Sequence, residues 1–335
     1  MLVTGGAGFI GSHLVDALLA EPGTHVAVLD RLSAGGTLAN LEQHDGDARL
    51  TIVRGDVKDA AAVGPLVAAA DRVVHAAAHS PVDGSIDDPA EFLATNVMGT
   101  HVVLDAVREH GTRMLMLSTN EVYGAGDPDG GLLDEDHAMR PRSPYAASKA
   151  AADLLCLASH AAFGTPVTVV RGANAYGPRE IASVVPRYAL NALEGGPVPV
   201  DGDGSRRRAF LFVDDWVRGA IVVMERGEPG VVYTIGAGHA LANLELARRI
   251  CALAGASPDL IAFVPDEPGD DLGCEVGAER LLSLGWTPEV AFDDGLARTV
   301  DWYRDHREWL RAAHAAHAAH AADAATTPRT AEAGA

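Results

Sequence analysis

The sequence has little of what marks several large classes of protein. Its three cysteines, Cys156, Cys251 and Cys274, show no C-x-x-C spacing, so neither a disulfide framework nor a zinc site is indicated. Lys and Arg total 26 against 46 Asp and Glu, and the net charge of −20 argues against nucleic acid or an anionic membrane as a partner. No apolar run reaches the roughly 18 residues of a membrane helix. We therefore expect no membrane anchor and a reducing compartment.

The start of the chain has no basic leader segment. The first predicted strand begins at once, before Thr4, so no signal peptide is expected and a cytoplasmic location is predicted. The 335 residues are 48% apolar and 21% charged, with few aromatic side chains. This composition is ordinary for a soluble α/β protein and suffices to bury one large core or two lobes.

A short apolar strand at the N-terminus runs into closely spaced glycines. Gly5, Gly8 and Gly11 lie three residues apart at the point where a helix is expected to begin. Glycine lets the backbone approach a pyrophosphate, which sits at the positive N-terminus of a helix. The motif alone also fits an ordinary glycine-rich turn, but with its neighbours Phe9 and Ile10 it predicts a dinucleotide site.

A second predicted strand, residues 24–30, ends in an acid. Asp30 stands about 20 residues after the glycines, where a carboxylate hydrogen-bonds the adenine ribose and repels a 2′-phosphate. This position favours NAD over NADP. Arg31 follows directly, and its guanidinium could accept the phosphate instead, so NADP stays open as the alternative cofactor.

Tyr145 and Lys149 form a pair suited to proton transfer. Their spacing of four residues places both side chains on one helical face. The ammonium of Lys149 is expected to favour the phenolate of Tyr145 and so to lower the pKa of Tyr145 from about 10. Chance also produces such pairs, with the tyrosine as packing and the lysine as a solvated charge.

Strand and helix signals alternate to about residue 175. Alternation of this kind predicts an α/β fold with a doubly wound parallel sheet over residues 1–175. A looser pattern over 176–311, including short strands near 231–235 and 261–264, predicts a smaller α/β substrate-binding lobe. The tail, 312–335, carries His314, His317 and His320 among alanines and is interpreted as a disordered low-complexity extension rather than a metal site.

From Leu2 to about Arg311 these motifs resemble those of the extended short-chain dehydrogenase/reductases, in the NAD-dependent epimerase/dehydratase family, and most closely the dTDP-glucose 4,6-dehydratases. The resemblance implies a Rossmann fold that binds NAD. Carried over by position, it implies cofactor contacts at Asp56, Val57, Ala76, Ala77, Ala78 and the helix-anchoring Asn96. It also implies an active-site turn that starts at Ser118 and Thr119.

The active-site turn departs from the dehydratase pattern at one position. The dehydratases carry Thr-Asp-Glu there, the Asp donating a proton as water leaves carbon 6 and the Glu removing the proton at carbon 5. Here the triplet is Thr119-Asn120-Glu121. An amide is no general acid, so elimination loses its proton donor while oxidation and reduction of a carbinol do not. Alternatively, Asn120 only positions substrate and water or Glu121 supplies the proton.

The segments that match the family's nucleotide-binding face have exchanged cations and an aromatic ring for acids. Asp201 stands where the family has a base-stacking Tyr, and Arg208 keeps its basic anchor. The substrate-binding residues implied by position are His79, Asn174, Arg179, Asp201, Arg208, Glu267, Asp270 and Asp271. Carboxylates repel a diphosphate but bind ammonium groups well, so this exchange predicts a cationic sugar substrate. A merely solvated acidic rim is the alternative.

These observations predict an NAD-dependent oxidoreductase acting on a hexose carbinol or ketone, at carbon 4, with Tyr145 as general acid/base. Thr119 and Ser118 are expected to bind the reacting oxygen, Lys149 the ribose, and Glu121 an amino group. The favoured substrate is an aminoglycoside or amino-sugar intermediate of antibiotic biosynthesis, and a homodimer is expected. The alternatives are a sugar-nucleotide 4,6-dehydratase or 4-epimerase, and a catalytically silent NAD-binding regulator on the same fold.

Overall fold

The computed structural model describes residues 1–33, 35–80, 82–126, 131–236, 240–265 and 275–326. Side chains are described throughout these ranges except at 82, 83 and 317–326. The described residues contain twelve strands: β1 (Leu2–Thr4), β2 (Val26–Asp30), β3 (Leu50–Arg54), β4 (Arg72–His75), β5 (Arg113–Thr119), β6 (Val167–Gly172), β7 (Asn174–Tyr176), β8 (Val198–Asp201), β9 (Arg207–Phe212), β10 (Val232–Ile235), β11 (Ala240–Ala242) and β12 (Ile261–Val264).

Helices alternate with these strands. In the described part of the chain they are α1 (Phe9–Ala20), α2 (Ala60–Ala68), α3 (Val82–Asp87), α4 (Pro89–Phe92), α5 (Gly99–His110), α6 (Pro144–Phe163), α7 (Val184–Glu194), α8 (Val213–Arg226), α9 (Asn243–Ala254), α10 (Glu279–Ser283), α11 (Phe292–Asp305) and α12 (Arg307–Thr326). A π-helical stretch, Leu93–Met98, leads into α5. None of the described helices combines the length and the apolar character needed to cross a membrane.

The main sheet is parallel and doubly wound. Its seven strands run in the order β10-β6-β5-β4-β1-β2-β3. Helices α2, α5 and α6 pack on one face, and α1 and α8 on the other. The strand order reverses between β1 and β4, and this switch point opens a crevice at the carboxyl ends of the strands, where open α/β sheets bind ligands. The prediction of a Rossmann fold is confirmed.

The second lobe is built from two small sheets and their helices. β7, β9 and β11 form a three-stranded sheet, and β8 pairs in parallel with β12. Helices α7, α9 and α11 pack against them. One hydrophobic core runs from α1 through α8 into this lobe, with Trp216, Phe212 and Tyr303 fully buried in it.

The structure differs from the predicted division in two places. The strand predicted in the second lobe near 231–235 is β10, which pairs with β6 and completes the main sheet. A four-residue apolar strand does not itself specify which sheet it joins. The residues from 312 to 326, predicted to be disordered, continue α12, which contacts α7 and α3. Leu310 anchors this helix in the core, and Arg311 forms an ion pair with Glu194 on α7.

Candidate active site

The predicted glycine motif lies at the switch point of the sheet. Gly5 has φ +69°, and a Cβ atom there would lie 2.7 Å from the Cα atom of Ala77, in the segment that follows β4. A Cβ atom on Gly11 would lie 2.1 Å from the carbonyl oxygen of Gly5. The N-cap residue of α1 is Gly8, which makes no side-chain cap, so the amides of the first turn can face an anion. These features fit the pyrophosphate of NAD. Of the other predicted cofactor residues, Phe9 and Ile10 begin α1, and Ala76 and Ala78 lie in the segment that follows β4.

Asp30 is fixed at the end of β2. Its carboxylate accepts the backbone N–H of Ala7 at 3.0 Å and that of Leu32 at 2.8 Å. It lies beside Gly36, where a Cβ atom would be 3.0 Å from the Asp30 Oδ1 atom. The backbone of Gly55, next to Asp56 and Val57, donates to the carbonyl of Asp30 at 3.0 Å. The carboxylate predicted to bind the adenine ribose therefore stands between the glycine loop and the predicted adenine contacts.

Arg31 is engaged elsewhere. Its guanidinium donates to Glu91 Oε1 at 2.7 Å and to His79 Nδ1 at 2.9 Å. Burial disfavours the charged form of Glu91, but hydrogen bonds from Arg31, Thr95 and Lys58 outweigh burial and lower the pKa of Glu91 to about 2. The Glu91 carboxylate thus holds Arg31 in place across neutral pH.

Asp30 should therefore decide the choice of cofactor. We expect NAD to bind more tightly than NADP, because the fixed Asp30 carboxylate repels a ribose phosphate while Arg31 is held by Glu91. Isothermal titration calorimetry should show this preference weakened in Asp30→Asn and kept in Arg31→Gln. Tighter NADP binding by the wild-type protein would mean that Arg31 leaves Glu91 and governs the site.

Asn96 ties the segment after β4 to the catalytic helix. Its side chain accepts the N–H of His79 at 2.7 Å and donates to the His79 carbonyl at 3.0 Å. Its Nδ2 atom also donates to Ser148 Oγ on α6 at 2.9 Å. A π-helical turn is frequent at functional sites and here directs Asn96 inward. The anchoring role implied for Asn96 agrees with these contacts.

The catalytic pair enters the site from the start of α6. Ser143 caps this helix by accepting the Ala146 N–H at 3.1 Å, and Pro144 occupies its first position. The phenol of Tyr145 lies beside Thr119 at the end of β5, near enough for Thr119 to influence its pKa. Lys149, one turn later, donates to the carbonyl of Leu117 at 2.6 Å. The structure therefore brings Thr119, Tyr145 and Lys149 together, as predicted.

The pKa values of the pair differ from the prediction. Burial, and then the carboxylate of Glu121, raises the pKa of Tyr145 well above its usual value, although the neighbouring Thr119 opposes this shift. Burial lowers the pKa of Lys149 to about 8, although the carboxylate of Asp153 opposes it. The predicted lowering of the Tyr145 pKa by Lys149 is wrong for this structure, because burial and the neighbouring acids dominate.

The active-site turn has the expected outline. Thr119 Oγ1 accepts the Glu121 N–H at 3.2 Å and so starts the 3-10 turn Asn120–Tyr123. Asn120 is fully buried and Glu121 is half-buried. Ser118 lies beside Asp153, near enough to lower the pKa of that carboxyl but beyond a full hydrogen bond. Ser118 therefore faces the interior, and its predicted contact with the reacting oxygen is not what the structure shows.

Three predicted substrate residues have protein partners. His79, in the first lobe, accepts a hydrogen bond from Arg31 at 2.9 Å. Asp201 is 6% exposed and binds Arg187 at 2.7 Å, so its charge is neutralised within the second lobe. Arg179, which has φ +69°, donates to the Asp16 carboxylate and, at 2.8 Å, to the carbonyl of Asn40. Arg179 thus joins the second lobe to the back of the glycine loop, and its contacts do not support the predicted substrate role.

Of the remaining predicted substrate residues, two lie in the second lobe. Asn174 begins β7, half-buried, and Arg208 lies half-buried on β9. Glu267, Asp270 and Asp271 lie outside the described residues. Within the described ranges, no three His, Cys, Asp or Glu side chains are grouped to hold a metal ion.

Sequence reasoning missed a charged network behind the catalytic pair. Asp153 and Arg171 are buried and form an ion pair at 2.9 Å, and Arg171 also donates to the hydroxyl of Tyr123 at 2.9 Å. One signal was visible in the sequence, because Asp153 follows Lys149 by four residues, as Lys149 follows Tyr145. Its partner Arg171 is 18 residues further along and had no such signal.

The chain was compared with known proteins. The model of the NAD dependent epimerase/dehydratase family matches residues 1–236. A dTDP-glucose 4,6-dehydratase of Streptomyces niveus is 44% identical over 317 residues, covering 92% of this chain and 94% of the relative. The low-salt glycan biosynthesis protein Agl12 of Haloferax volcanii is 41% identical, covering 90% and 98% of the two chains.

Solved structures agree with these relatives. DesIV, a dTDP-glucose 4,6-dehydratase from Streptomyces venezuelae solved with NAD and TYD bound, superposes with a TM-score of 0.90 at 41% identity over 93% of this chain and 99% of its own. A Thermus thermophilus UDP-glucose 4-epimerase in complex with NAD gives a TM-score of 0.83 at 33% identity, covering 90% and 98%. With its glycine crevice and its Tyr145–Lys149 pair, this chain belongs to the NAD-dependent epimerase/dehydratase family of the extended short-chain dehydrogenase/reductases and uses NAD as its cofactor.

Proposed function

We propose that this enzyme oxidises a nucleotide-linked hexose at one ring carbinol and then eliminates water from the ketone, the 4,6-dehydratase reaction in the names of its relatives. The observation that carries the proposal is the position of the Tyr145 phenol beside Thr119 at the end of β5, with Glu121 in the adjoining turn. Identity of 44% to a dTDP-glucose 4,6-dehydratase supports it.

Each residue of the catalytic cluster has a defined task. When bound, NAD⁺ supplies the hydride acceptor. Thr119 and the Tyr145 phenol lie side by side, so both can hydrogen-bond a substrate hydroxyl that enters beside them. Tyr145 takes the proton of that hydroxyl during oxidation and returns one during reduction. Lys149, held by the Leu117 carbonyl, presents its ammonium to the ribose and to the developing phenolate.

For the elimination step, this chain has a candidate base but lacks an acid at position 120. Glu121 sits in the turn next to the Tyr145 phenol and can remove the proton beside the new ketone. Asn120, its neighbour, can hydrogen-bond the departing hydroxyl but has no proton to give. We therefore propose that loss of water is slow relative to oxidation in this enzyme.

The second lobe suits an anionic group better than a cationic one. The Asp201 charge is offset by Arg187, so the pair presents no net charge. Arg208 lies close enough to Tyr188 to influence its pKa. Asn243 is fully buried, and neither amide atom of its side chain has a hydrogen-bond partner among the described residues. A diphosphate bound beside Arg208 would accept hydrogen bonds from its guanidinium.

The substrate class can be tested directly. The purified protein with NAD should release one water from dTDP-glucose or UDP-glucose, measured by mass spectrometry of the product. Arg208→Gln should raise the Michaelis constant about tenfold with a smaller effect on turnover, since the diphosphate is remote from the reacting carbon. Arg207→Gln is the matched control, because the Arg207 side chain is 62% exposed on the same strand.

A second candidate is favoured by Asn120. In this candidate the enzyme lacks an acid for elimination, stops at oxidation and reduction, and acts as a dehydrogenase or 4-epimerase. Hydride exchange on a nucleotide hexose without loss of water would establish that reaction. Hydride exchange with a polyamine pseudodisaccharide, and none with nucleotide sugars, would restore the cationic amino-sugar substrate.

We also propose that the enzyme is a homodimer joined through α5 and α6. The outer surface there exposes Leu93, Met98 and Leu154, each more than half accessible. Exposed apolar side chains on neighbouring helices suit a two-fold interface with a second copy. Sedimentation should show a dimer, and Leu154→Arg should yield a monomer.

A further inference from the structure

Helix α6 carries a third ionisable residue in line with the catalytic pair. Asp153 follows Lys149 by four residues and therefore lies on the same helical face. It is fully buried, and its Oδ2 atom accepts Arg171 Nε on β6 at 2.9 Å. Neither residue of this ion pair reaches solvent, and neither belongs to the cofactor or substrate contacts described above.

Arg171 connects α6 to the active-site turn. Its guanidinium donates to the Tyr123 hydroxyl at 2.9 Å and stacks on the Tyr123 ring at 5.1 Å from the centroid. It also donates to the carbonyl of Glu135 at 3.3 Å. Tyr123 closes the turn that Thr119 opens. A single buried guanidinium thus sets the position of this turn relative to the helix that carries Tyr145.

Asp153 also acts on Lys149 through its charge. Burial lowers the pKa of Lys149 to about 8, and Asp153 is the larger of two influences that oppose the shift. Burial raises the pKa of Asp153, but Arg171, Ser118 and Lys149 oppose that shift. Removing the Asp153 charge would therefore let the Lys149 pKa fall below about 8.

The other ionisable groups around Lys149 do not replace Asp153. On β4, burial and then Lys149 itself lower the pKa of His75 to about 3, so this imidazole is neutral. On α6, burial raises the pKa of Cys156, so its thiol stays protonated, and burial raises that of Tyr145. Arg171 on β6 carries a positive charge, which cannot hold an ammonium in place.

We propose that Asp153 is a positioning residue of this active site, which keeps Lys149 an ammonium through its charge and, through Arg171 and Tyr123, holds the Thr119–Tyr123 turn against α6. The inference rests on the proposed function in one respect, that Tyr145 and Lys149 are the catalytic pair. It does not depend on which sugar is the substrate.

The decisive measurement observes Lys149 without any substrate. The chain contains two lysines, Lys58 and Lys149, so selective ¹³C labelling at Cε gives two resonances, assigned with Lys58→Arg. In a pH titration Asp153→Asn should lower the midpoint of Lys149 by about one unit or more, the size expected for loss of a nearby opposite charge. Asp153→Glu should bring the Lys149 midpoint most of the way back to its wild-type value. An unchanged midpoint in Asp153→Asn would overturn the proposal.

A matched control separates this role from loss of a buried ion pair in general. Asp215 is also fully buried and binds Arg218 at 2.6 Å on α8. Asp215→Asn should lower thermal stability and leave the Lys149 titration in place. If Asp215→Asn shifts the Lys149 midpoint as far as Asp153→Asn does, the effect is general loosening of the fold and the proposal fails.

Two further variants complete the test. One examines whether Arg171 and Tyr123 position the Thr119–Tyr123 turn, and the other covers the case in which Asp153→Asn does not fold. Tyr123→Phe removes the hydroxyl that Arg171 holds, and should lower turnover about three- to tenfold with NAD affinity and the Lys149 midpoint unchanged. Wild-type turnover in Tyr123→Phe would overturn this part. If Asp153→Asn does not fold, Asp153→Glu, which keeps the charge, should titrate Lys149 near the wild-type midpoint, and a midpoint lowered by about one unit or more in this variant would contradict the proposal. Failure to turn over any nucleotide sugar would contradict the proposed function and leave these titrations valid.

Discussion

Replacement of Tyr145 by phenylalanine should lower turnover about 100-fold or more while NAD still binds. The phenol lies beside Thr119 and is the group that we propose to exchange a proton with the substrate oxygen. Proton transfer by a positioned side chain is worth at least about this factor. Steady-state kinetics and calorimetry with NAD measure the two quantities. A fully active Tyr145→Phe enzyme would rule out the assigned role.

The control and the pH profile make this test specific. Tyr233→Phe is a suitable control, because the Tyr233 hydroxyl contacts the backbone of Glu228 on the far side of the main sheet. Burial raises the pKa of Tyr145, so its phenol is protonated at neutral pH and the rate of oxidation should rise with pH. The oxidation rate should stop rising above about pH 8, where Lys149 loses its proton. Tyr145→Phe should abolish this dependence.

Asn120→Asp should accelerate the loss of water about 100-fold, because it supplies the proton donor that the active-site turn lacks. Asn120 is fully buried, and a carboxyl in such a position keeps its proton at neutral pH, which suits a general acid. Rapid-quench mass spectrometry of the oxidised and dehydrated products separates elimination from oxidation. The oxidation rate should change little.

Asn120→Ser is the control for this gain, because a hydroxyl can hydrogen-bond the substrate but is a poor acid. The thermal unfolding of both variants should also be measured, because a buried carboxyl that loses its proton destabilises the fold. If the wild-type enzyme already eliminates water as fast as Asn120→Asp, then Glu121 or a water molecule supplies the proton. Asn120 is then a tolerated substitution.

Much of the cofactor site could be predicted from the sequence, because its signals are local. The glycines at 5, 8 and 11, the acid at the end of β2 and the Tyr145–Lys149 spacing each lie within one turn or one helix. Local spacing decides which face of an element a residue occupies. The order of elements then places the ends of β1 and β4 in one crevice.

The substrate lobe was predicted less well, because charge alone does not reveal its partner. Asp201 was interpreted as a contact for a substrate amine. In the structure it accepts a hydrogen bond from Arg187, which lies 14 residues earlier on α7. Arg179 was interpreted as a substrate cation, and it binds Asp16 at a separation of 163 residues. Both side chains were assigned from linear position without knowledge of what packs beside them.

The sequence by itself determined the fold class and predicted the cofactor crevice and the proposed proton-transfer pair of this protein, since short-range spacing and glycine sterics suffice for each. Only the tertiary structure decided which charges are neutralised inside the protein, where β10 pairs and how Arg171 joins α6 to the active-site turn. Those outcomes depend on contacts between distant segments, in which burial makes each ionised group require a partner at hydrogen-bond distance.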